Sequence, residues 1–274
     1  MDTILKDLDI KIDCPQLSEE ELLKLKQLIC KHRDVFAKSI LDMPGTDVLC
    51  HKIETGDAPP QRRKQYRLSM EAQAEVRRQV QEMLDAGQIR ESNSAWNAPV
   101  ILVKKKDATY RFVVDYRSLN SVTKVISFAI PTMNDILDAV ADGKPIIFSS
   151  LDLKSGYHQV KIDESSKEKT AFSTNHASYE WNVMPFGLSG APATFQRLMH
   201  SVMRGAFMKY LICYIDDCLI YSRSVEEHLQ HLEEVFLRLK RNKLRLHPSK
   251  CVFGRESVLY LGHILPKDRV YVDQ

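Results

Sequence analysis

The chain has 274 residues, 44% of them hydrophobic and 27% charged, with a formal net charge of +3 at pH 7. Such a length allows one large domain or two modest ones with ample core, and the composition is that of a soluble globular protein rather than a disordered, fibrous or membrane-embedded one. So small a net charge announces no wholesale binding to nucleic acid or membrane, so any basic surface has to be local.

The six cysteines, Cys14, Cys30, Cys50, Cys213, Cys218 and Cys251, include no Cys-x-x-Cys pair, which favours a reducing compartment over a disulfide framework. No signal peptide, no apolar run of membrane-spanning length and no lipidation motif is present, so an intracellular location is expected. Basic clusters occur at Arg62, Arg63, Lys64 and Arg67, at Lys104, Lys105 and Lys106, and between residues 238 and 245. Each fits a solvated face as well as a phosphate contact. His228 and His231 share one side of a helix without a partner pair, and read as surface histidines rather than zinc ligands.

In chain order, Ser18 with Glu21 forms a capping-box pattern, and Leu22, Leu25, Leu28 and Ile29 give a helical apolar stripe. After Phe36 the chain turns irregular as far as Pro59 and Pro60, so residues 1–59 read as a leader. A second helix is predicted over 70–86, with Val76, Val80, Met83 and Leu84 buried and Gly87 at the C′ position. Residues 100–107 and 110–120 pattern as a β-hairpin whose basic tip spans Lys104 to Arg111. A short amphipathic helix follows over 130–140, capped by Thr132, with Gly143 in the loop that ends it. It feeds an apolar run, 145–151, that ends in Asp152 and turn residues, which reads as a buried strand with Asp152 near its C-terminal end. Further on, a Pro/Gly-rich stretch at 184–192 leads into a helix with Phe195, Leu198, Met199, Val202 and Met203 on one face.

Residues 210–222, Tyr-Leu-Ile-Cys-Tyr-Ile-Asp-Asp-Cys-Leu-Ile-Tyr-Ser, place two carboxylates between two apolar runs: strand, tight turn, strand. A turn relaxes the alternation of a strand, so Asp216 and Asp217 can both reach one edge of a sheet. Two anions that close raise each other's pKa unless a cation lies between them, and oxygen-only ligands suit Mg²⁺ or Mn²⁺. On the dipeptide alone a solvated turn is the commoner explanation. Asp152 weakens it, because three converging carboxylates can hold two metals about 3.5–4 Å apart for phosphoryl or nucleotidyl transfer. Beyond the turn, Ser224 with Glu227 caps a long helix striped by Val225, Leu229, Leu232, Val235, Phe236 and Leu239, and residues 247–254 and 258–265 suggest two more strands.

Three segments then fall in order: 151–160, Leu-Asp-Leu-Lys-Ser-Gly-Tyr-His-Gln-Val; 183–196, Val-Met-Pro-Phe-Gly-Leu-Ser-Gly-Ala-Pro-Ala-Thr-Phe-Gln; and 214–217, Tyr-Ile-Asp-Asp. They resemble the three central motifs of reverse transcriptases, above all those of gypsy-type long-terminal-repeat retrotransposons. The resemblance covers roughly residues 60–270 and is strongest from 98 to 265.

That resemblance implies an α+β fold: an antiparallel palm sheet covered by helices, with a fingers subdomain. Residues 60–124 and 160–190 would be fingers, 125–159 and 191–274 palm, and 1–59 the leader between a protease and the polymerase. It implies an RNA-directed DNA polymerase that extends a primer 3′-OH with dNTPs. Asp152, Asp216 and Asp217 would be catalytic and would hold two Mg²⁺ or Mn²⁺ ions, with the Leu153 carbonyl as a further ligand. Arg111 and Lys105 or a neighbouring lysine would grip the triphosphate, and Ala108 stands where many relatives have Gly, which alters the tip's conformational freedom. Tyr157 would lie under the sugar and exclude a ribose 2′-OH. Phe186, where retroviral relatives often have Gln, and Gly187 would sit at the nucleotide, the Pro/Gly-rich stretch letting backbone come close to a base pair. Leu261, Gly262 and His263 would belong to a hairpin that positions the primer end, and Asp115 and Arg117 would have structural or template-side roles. Expected partners are an RNA template, a DNA primer or duplex, dNTPs and the remaining Pol domains, with no membrane; the expected place is the cytoplasm, a virus-like particle or the nucleus. No thumb, connection, RNase H or integrase segment is evident, which implies low processivity. Two alternatives compete: a catalytically silent, retrotransposon-derived nucleic-acid-binding protein, and another palm-type enzyme such as a nucleotide cyclase or DNA-templated polymerase.

Overall fold

The computed structural model describes residues 1–104, 109–125, 128, 129 and 131–266. The first half runs α1 (Asp2–Asp7), α2 (Glu19–Lys31), β1 (Thr46–His51), α3 (Met70–Asp85), β2 (Ile89–Glu91), β3 (Ala98–Lys104), β4 (Tyr110–Val114), α4 (Arg117–Val122) and α5 (Met133–Gly143). It continues with β5 (Ile147–Asp152), β6 (Val160–Ile162), α6 (Glu164–Lys167), β7 (Phe172–Ser173), β8 (Ser178–Trp181) and α7 (Ala191–Val202). The last elements are β9 (Leu211–Tyr214), β10 (Asp217–Ser222), α8 (Val225–Arg241), β11 (Val252–Arg255), β12 (Ser257–Tyr260) and β13 (His263–Pro266).

Local chemistry sets most of these boundaries. Ser18 and Glu21 close a full capping box at α2, and Thr132 and Asp135 close another at α5. Ser69 caps α3, and Gly87 follows it at φ +65, the left-handed conformation that a C′ glycine adopts without strain. At α8 the box is split: Ser224 accepts from the Glu227 amide, while the Glu227 carboxylate accepts from Arg223 N. Gly143 is the last residue of α5 rather than part of the loop beyond it.

The chain forms two compact units. The first comprises residues 1–43, 128–156 and 195–274, the second 44–127 and 157–194.

The first unit is built on an antiparallel sheet of order β11-β5-β10-β9. On one face Phe148, Ile212, Leu219 and Tyr221 pack with Ile136, Leu137 and Val140 of α5 and with Val258, Tyr260 and Leu265 of the β12–β13 hairpin. Each such fully buried apolar side chain stabilises by roughly 1.5–3 kcal/mol. On the other face α8 packs against β10 and β5, and α2 packs on α8.

His228 is not on the surface. It is 1% exposed on the sheet side of α8, with its Nε2 at 2.7 Å from Ser149 Oγ and its Nδ1 at 2.9 Å from Ser222 Oγ. The two serines give the imidazole the hydrogen bonds that burial demands, a compensation the helical spacing alone did not reveal. His231 is half-buried; its Nδ1 also meets Ser222 Oγ, and its ring stacks on Tyr210 at 3.7 Å. Burial pulls the His228 pKa down to about 3, with a smaller effect from His231. The folded state therefore keeps His228 neutral where the unfolded chain takes up a proton, so its contribution is complete above about pH 6.5 and is lost as pH falls toward 3. At pH 5 the expected loss is about 2 kcal/mol. Urea midpoints at pH 7.5 and 5 should show a smaller acid loss in His228→Gln; an unchanged difference would reject this account.

Part of the basic run at 238–245 is spent on the protein itself. Arg238 pairs with Glu234 and donates to the carbonyls of Val202 and Arg204, and Lys240 pairs with Asp34.

The second unit holds a five-stranded sheet of order β2-β8-β7-β3-β4 and a parallel β1–β6 pair. The expected hairpin is formed by β3 and β4, with Lys104 opposite Tyr110 and Val103 opposite Arg111. Beyond Val114 the chain leaves the hairpin for α4, so the second strand is shorter than the pattern suggested. Asp115 anchors that exit: its carboxylate accepts from Arg117 and from Tyr66 Oη, and the Arg117 guanidinium holds it well below the usual carboxylate range.

Candidate active site

Asp152 ends β5 and Asp217 begins β10, and the antiparallel register sets the two directly opposite each other. Cross-strand partners project to the same face, here the face of Phe148 and Tyr221, so two of the three carboxylates meet without any turn geometry. The third comes from the two-residue turn between β9 and β10. Ile215 holds φ +54 there, a region β-branched residues avoid at a cost on the order of 1–3 kcal/mol. Buried Gln196 of α7 sustains the turn: its Nε2 donates to Cys213 O at 2.9 Å, and its Oε1 accepts from the Ile215 amide at 3.0 Å. Tyr260 of β12 donates to Asp217 O at 3.1 Å.

Asp216 Oδ1 is buried without a hydrogen-bond partner. It faces Gly156, where a Cβ would come within 2.4 Å of that oxygen and 2.9 Å of the Phe195 ring. Burial first, then the charges of Asp152 and Asp217, push the Asp216 pKa up to about 7. Asp217 is also raised, by burial and then by Asp152. One cation offsets them: Lys250 Nζ lies 3.3 Å from both carboxylate oxygens of Asp152 and lowers both neighbours.

Among the described residues no group of three or more His, Cys, Asp or Glu is arranged to hold a metal ion. With Lys250 on Asp152 and Asp216 Oδ1 turned toward Gly156, the three acids stand near one another without a closed cage. The donor set nonetheless fits a hard divalent cation. It is all oxygen, it includes an orphaned buried carboxylate oxygen, it carries excess negative charge, and it already draws in an ammonium group. The Leu153 amide donates to Asp216 O at 3.2 Å, so in an extended residue its carbonyl faces the same edge.

Leu261 and Gly262 form the two-residue turn of the β12–β13 hairpin at φ +50 and +85, with Tyr260 opposite His263. Gly262 and His263 are exposed.

The remaining candidates belong to the second unit. The Tyr157 and Phe186 rings lie 5.2 Å apart; His158 sits 5.1 Å from Phe186 and 5.2 Å from Trp181. Burial lowers the His158 pKa to about 4, which keeps the ring neutral near pH 7. Gly187 takes φ +94, and a Cβ there would approach Val114 O to 3.3 Å. Asn120 pins this loop by donating to Gly187 O and accepting from the Ser189 amide. Arg111 is exposed on β4, while Lys105 and Ala108 lie outside the described residues.

Gln196, Lys250 and Asn120 were missed by sequence reasoning as parts of a site. Gln196 carried a signal, a lone amide within the apolar face of α7. Lys250 carried none, since an isolated lysine in a turn is ordinary.

A four-stranded antiparallel sheet with facing carboxylates at one end, covered by helices, is a polymerase palm; with its fingers subdomain this fold is reverse-transcriptase-like. The chain belongs to the reverse transcriptase (RNA-dependent DNA polymerase) family, whose sequence profile matches residues 103–265. It is 42% identical over 259 residues to the retrovirus-related Pol polyprotein from transposon 297 of Drosophila melanogaster, covering 93% of this chain and 24% of that protein. To the corresponding polyprotein from transposon gypsy of the same organism it is 34% identical, covering 89% of this chain and 24% of the relative. The chain thus spans about a quarter of the curated relatives it matches. Among solved structures it superposes on a foamy viral protease-reverse transcriptase in complex with double-stranded DNA with a TM-score of 0.86 at 24% identity, covering 97% of this chain and 46% of that one. The native prototype foamy virus protease-reverse transcriptase gives 0.83 at 26% identity, covering 97% and 34%.

Proposed function

We propose that this chain is the polymerase portion of a gypsy-type Pol polyprotein and extends a primer 3′-OH with dNTPs on an RNA or DNA template. The observation that carries this reading is the facing pair Asp152 and Asp217, with the unpartnered Asp216 oxygen beside them. Asp152, Asp216, Asp217 and the Leu153 carbonyl would hold two divalent ions, Mg²⁺ or Mn²⁺. When bound, such ions activate the primer hydroxyl and neutralise the triphosphate and leaving pyrophosphate.

The chain's own residues prepare that site. Gln196 and Tyr260 fix the backbone that bears Asp216 and Asp217. Lys250 holds compensating charge against Asp152. Residues 60–124 and 160–190 act as fingers and 125–159 and 191–274 as palm, with Lys105 and Arg111 directed to the triphosphate and Phe186 and Gly187 to the nucleotide. Leu261, Gly262 and His263 present an exposed turn to the primer. Relatives in this fold have been solved with double-stranded DNA and with an RNA/DNA hybrid, and we take the same duplexes as ligands here. The rest of a Pol polyprotein is the partner in cis, in the cytoplasm, a virus-like particle or the nucleus.

Tyr157 excludes ribonucleotides in this reading, its ring seated against Phe186. Tyr157→Ala should raise the efficiency of rNTP relative to dNTP incorporation by on the order of tenfold or more. Single-nucleotide insertion kinetics check this, and an unchanged ratio removes Tyr157 from the role. The reading as a whole is tested by primer extension on a defined RNA template with dNTPs and Mg²⁺ or Mn²⁺, wild type against Asp216→Asn/Asp217→Asn. Synthesis lost in the double variant supports it. No synthesis by wild type, even within the longer polyprotein, together with nucleic-acid binding that survives the double substitution, favours a silent binding protein instead.

A further inference from the structure

Residues 1–59 read as a leader, yet the first 43 of them are built into the first unit. Leu5, Leu8, Ile10, Leu25, Leu28 and Ile29 are all buried. Cys14 Sγ donates to Phe253 O, Gln16 Nε2 to Gly254 O, and Arg255 pairs with Asp13 at 2.8 Å. The segment ends in Val35, Phe36 and Ala37, at 0%, 6% and 0% exposure.

Those three residues pair, in parallel, with Leu246. The Leu246 amide donates to Val35 O at 2.8 Å, and the Ala37 amide donates to Leu246 O at 3.0 Å. On its other edge the same short segment pairs, antiparallel, with the end of β5: His247 N donates to Asp152 O at 2.8 Å, and Lys154 N to Arg245 O at 3.0 Å. Leu153 N then donates to Asp216 O. One continuous run of backbone hydrogen bonds thus links residues 35–37, 245–247 and 152–154 to the carboxylate-bearing turn. The Phe36 ring locks its outer end, meeting Phe236 edge-on at 5.8 Å and Phe253 at 6.4 Å.

We infer that Val35, Phe36 and Ala37 are positioning residues for the metal site: a single parallel bridge ahead of the polymerase proper that sets the backbone of Asp152, Leu153 and Asp216. Among the described residues, the end of β5 is held by β10 on one side and, next to β11, by residues 245–247 on the other, and residues 245–247 form no regular strand of their own. The bridge made by residues 35–37 supplies the second edge that keeps them extended. The inference rests on the carboxylates being the metal ligands proposed above, and the hydrogen-exchange arm of the test does not.

Mn²⁺ is titrated calorimetrically into the full, nucleic-acid-free chain, and amide exchange is followed at Leu153, Lys154 and His247. Ala37→Pro deletes one donor of the run, and its predecessor Phe36 already has the extended backbone that a following proline requires. Phe36→Ala removes the lock, Phe36→Leu keeps most of its apolar volume, and Leu41→Ser changes an exposed residue of the same segment. Ala37→Pro and Phe36→Ala are expected to weaken Mn²⁺ binding by about tenfold or more, as loss of an outer-shell partner does, and to speed exchange at all three amides. Phe36→Leu and Leu41→Ser should stay near wild type. Wild-type affinity, with exchange at the three amides sped no more than at core amides of β9 and β10, in folded Ala37→Pro and Phe36→Ala overturns the inference, because plain packing loss would lower the melting point and speed core exchange generally without singling out these three amides. If Ala37→Pro loses its cooperative melt, Phe36→Ala against Phe36→Leu decides: affinity lost only in the first supports the inference, affinity kept in both rejects it. A wild-type chain that takes up no Mn²⁺ counts against the metal reading, and exchange at the three amides then decides alone.

Discussion

Asp216→Asn is expected to slow primer extension on an RNA template by at least about a thousandfold, a rise of roughly 4 kcal/mol in the barrier. The substitution keeps the size of the side chain and leaves the turn intact, because Gln196 bonds the Ile215 amide and Cys213 O rather than the Asp216 carboxylate. What it removes is one negative charge and one hard oxygen ligand from a set in which every donor is an oxygen. A neutral amide oxygen binds a divalent cation far more weakly than a carboxylate does. Asp152→Asn should be comparably damaging for a second reason: Lys250 then loses its partner beside the site. Single-turnover extension at saturating dNTP, with template–primer affinity measured in parallel, separates a chemical defect from a binding one. Extension within tenfold of wild type at matched affinity would remove Asp216 from the chemistry.

The fold and the site were legible in the sequence to different depths. Apolar runs that break at Asp152 and at Asp216–Asp217 gave both strands and the turn, because a buried strand tolerates carboxylates only where it leaves the core. The capping box at Ser18 and the cap at Thr132 marked helix starts, since their hydrogen bonds are local. The predicted span 130–140 nonetheless lies about three residues ahead of the observed Met133–Gly143. Contacts between distant segments could not be read. Nothing in residues 33–37 announces that they pair with Leu246, because a single bridge has no periodicity. Likewise His228 looked like half of a surface pair, since the serines that satisfy it lie on β5 and β10, 79 and 6 residues away. Ile215 shows the same limit: local preference argues against a β-branched residue at φ +54, and Gln196, 19 residues upstream, overrides it. Asp115 and Arg117, by contrast, were given structural or template-side roles from the resemblance alone, and their ion pair is made within a two-residue spacing.

The same Asp216→Asn substitution that removes synthesis should make the metal-free protein more stable. With a folded pKa near 7 against 3.8 for the unfolded chain, Asp216 stays protonated in the fold while it ionises when unfolded. Below pH 4 the two states bind equal protons and no penalty exists. Between about pH 4 and 7 each rise in pH favours the unfolded chain, and above 7 the whole penalty, on the order of 2–4 kcal/mol, is present. Asparagine has no proton to lose, so the variant should gain stability over wild type progressively from pH 4 to 7 and hold that gain at pH 8. His228 acts in the opposite sense across pH 3–6.5, so the raw pH profile of wild type mixes the two, and only the difference between wild type and variant isolates Asp216. Divalent cation should narrow the gap: by binding the ionised acids it stabilises wild type more at pH 8 than at pH 6, and does little for the variant. Urea denaturation with chelator and with 10 mM Mg²⁺ (about the concentration at which a millimolar site gains ~1.4 kcal/mol) reads both effects. A variant no more stable than wild type at pH 8 in chelator would mean that the acids are not in electrostatic conflict, and that Lys250 alone suffices to hold three negative charges at the end of this sheet.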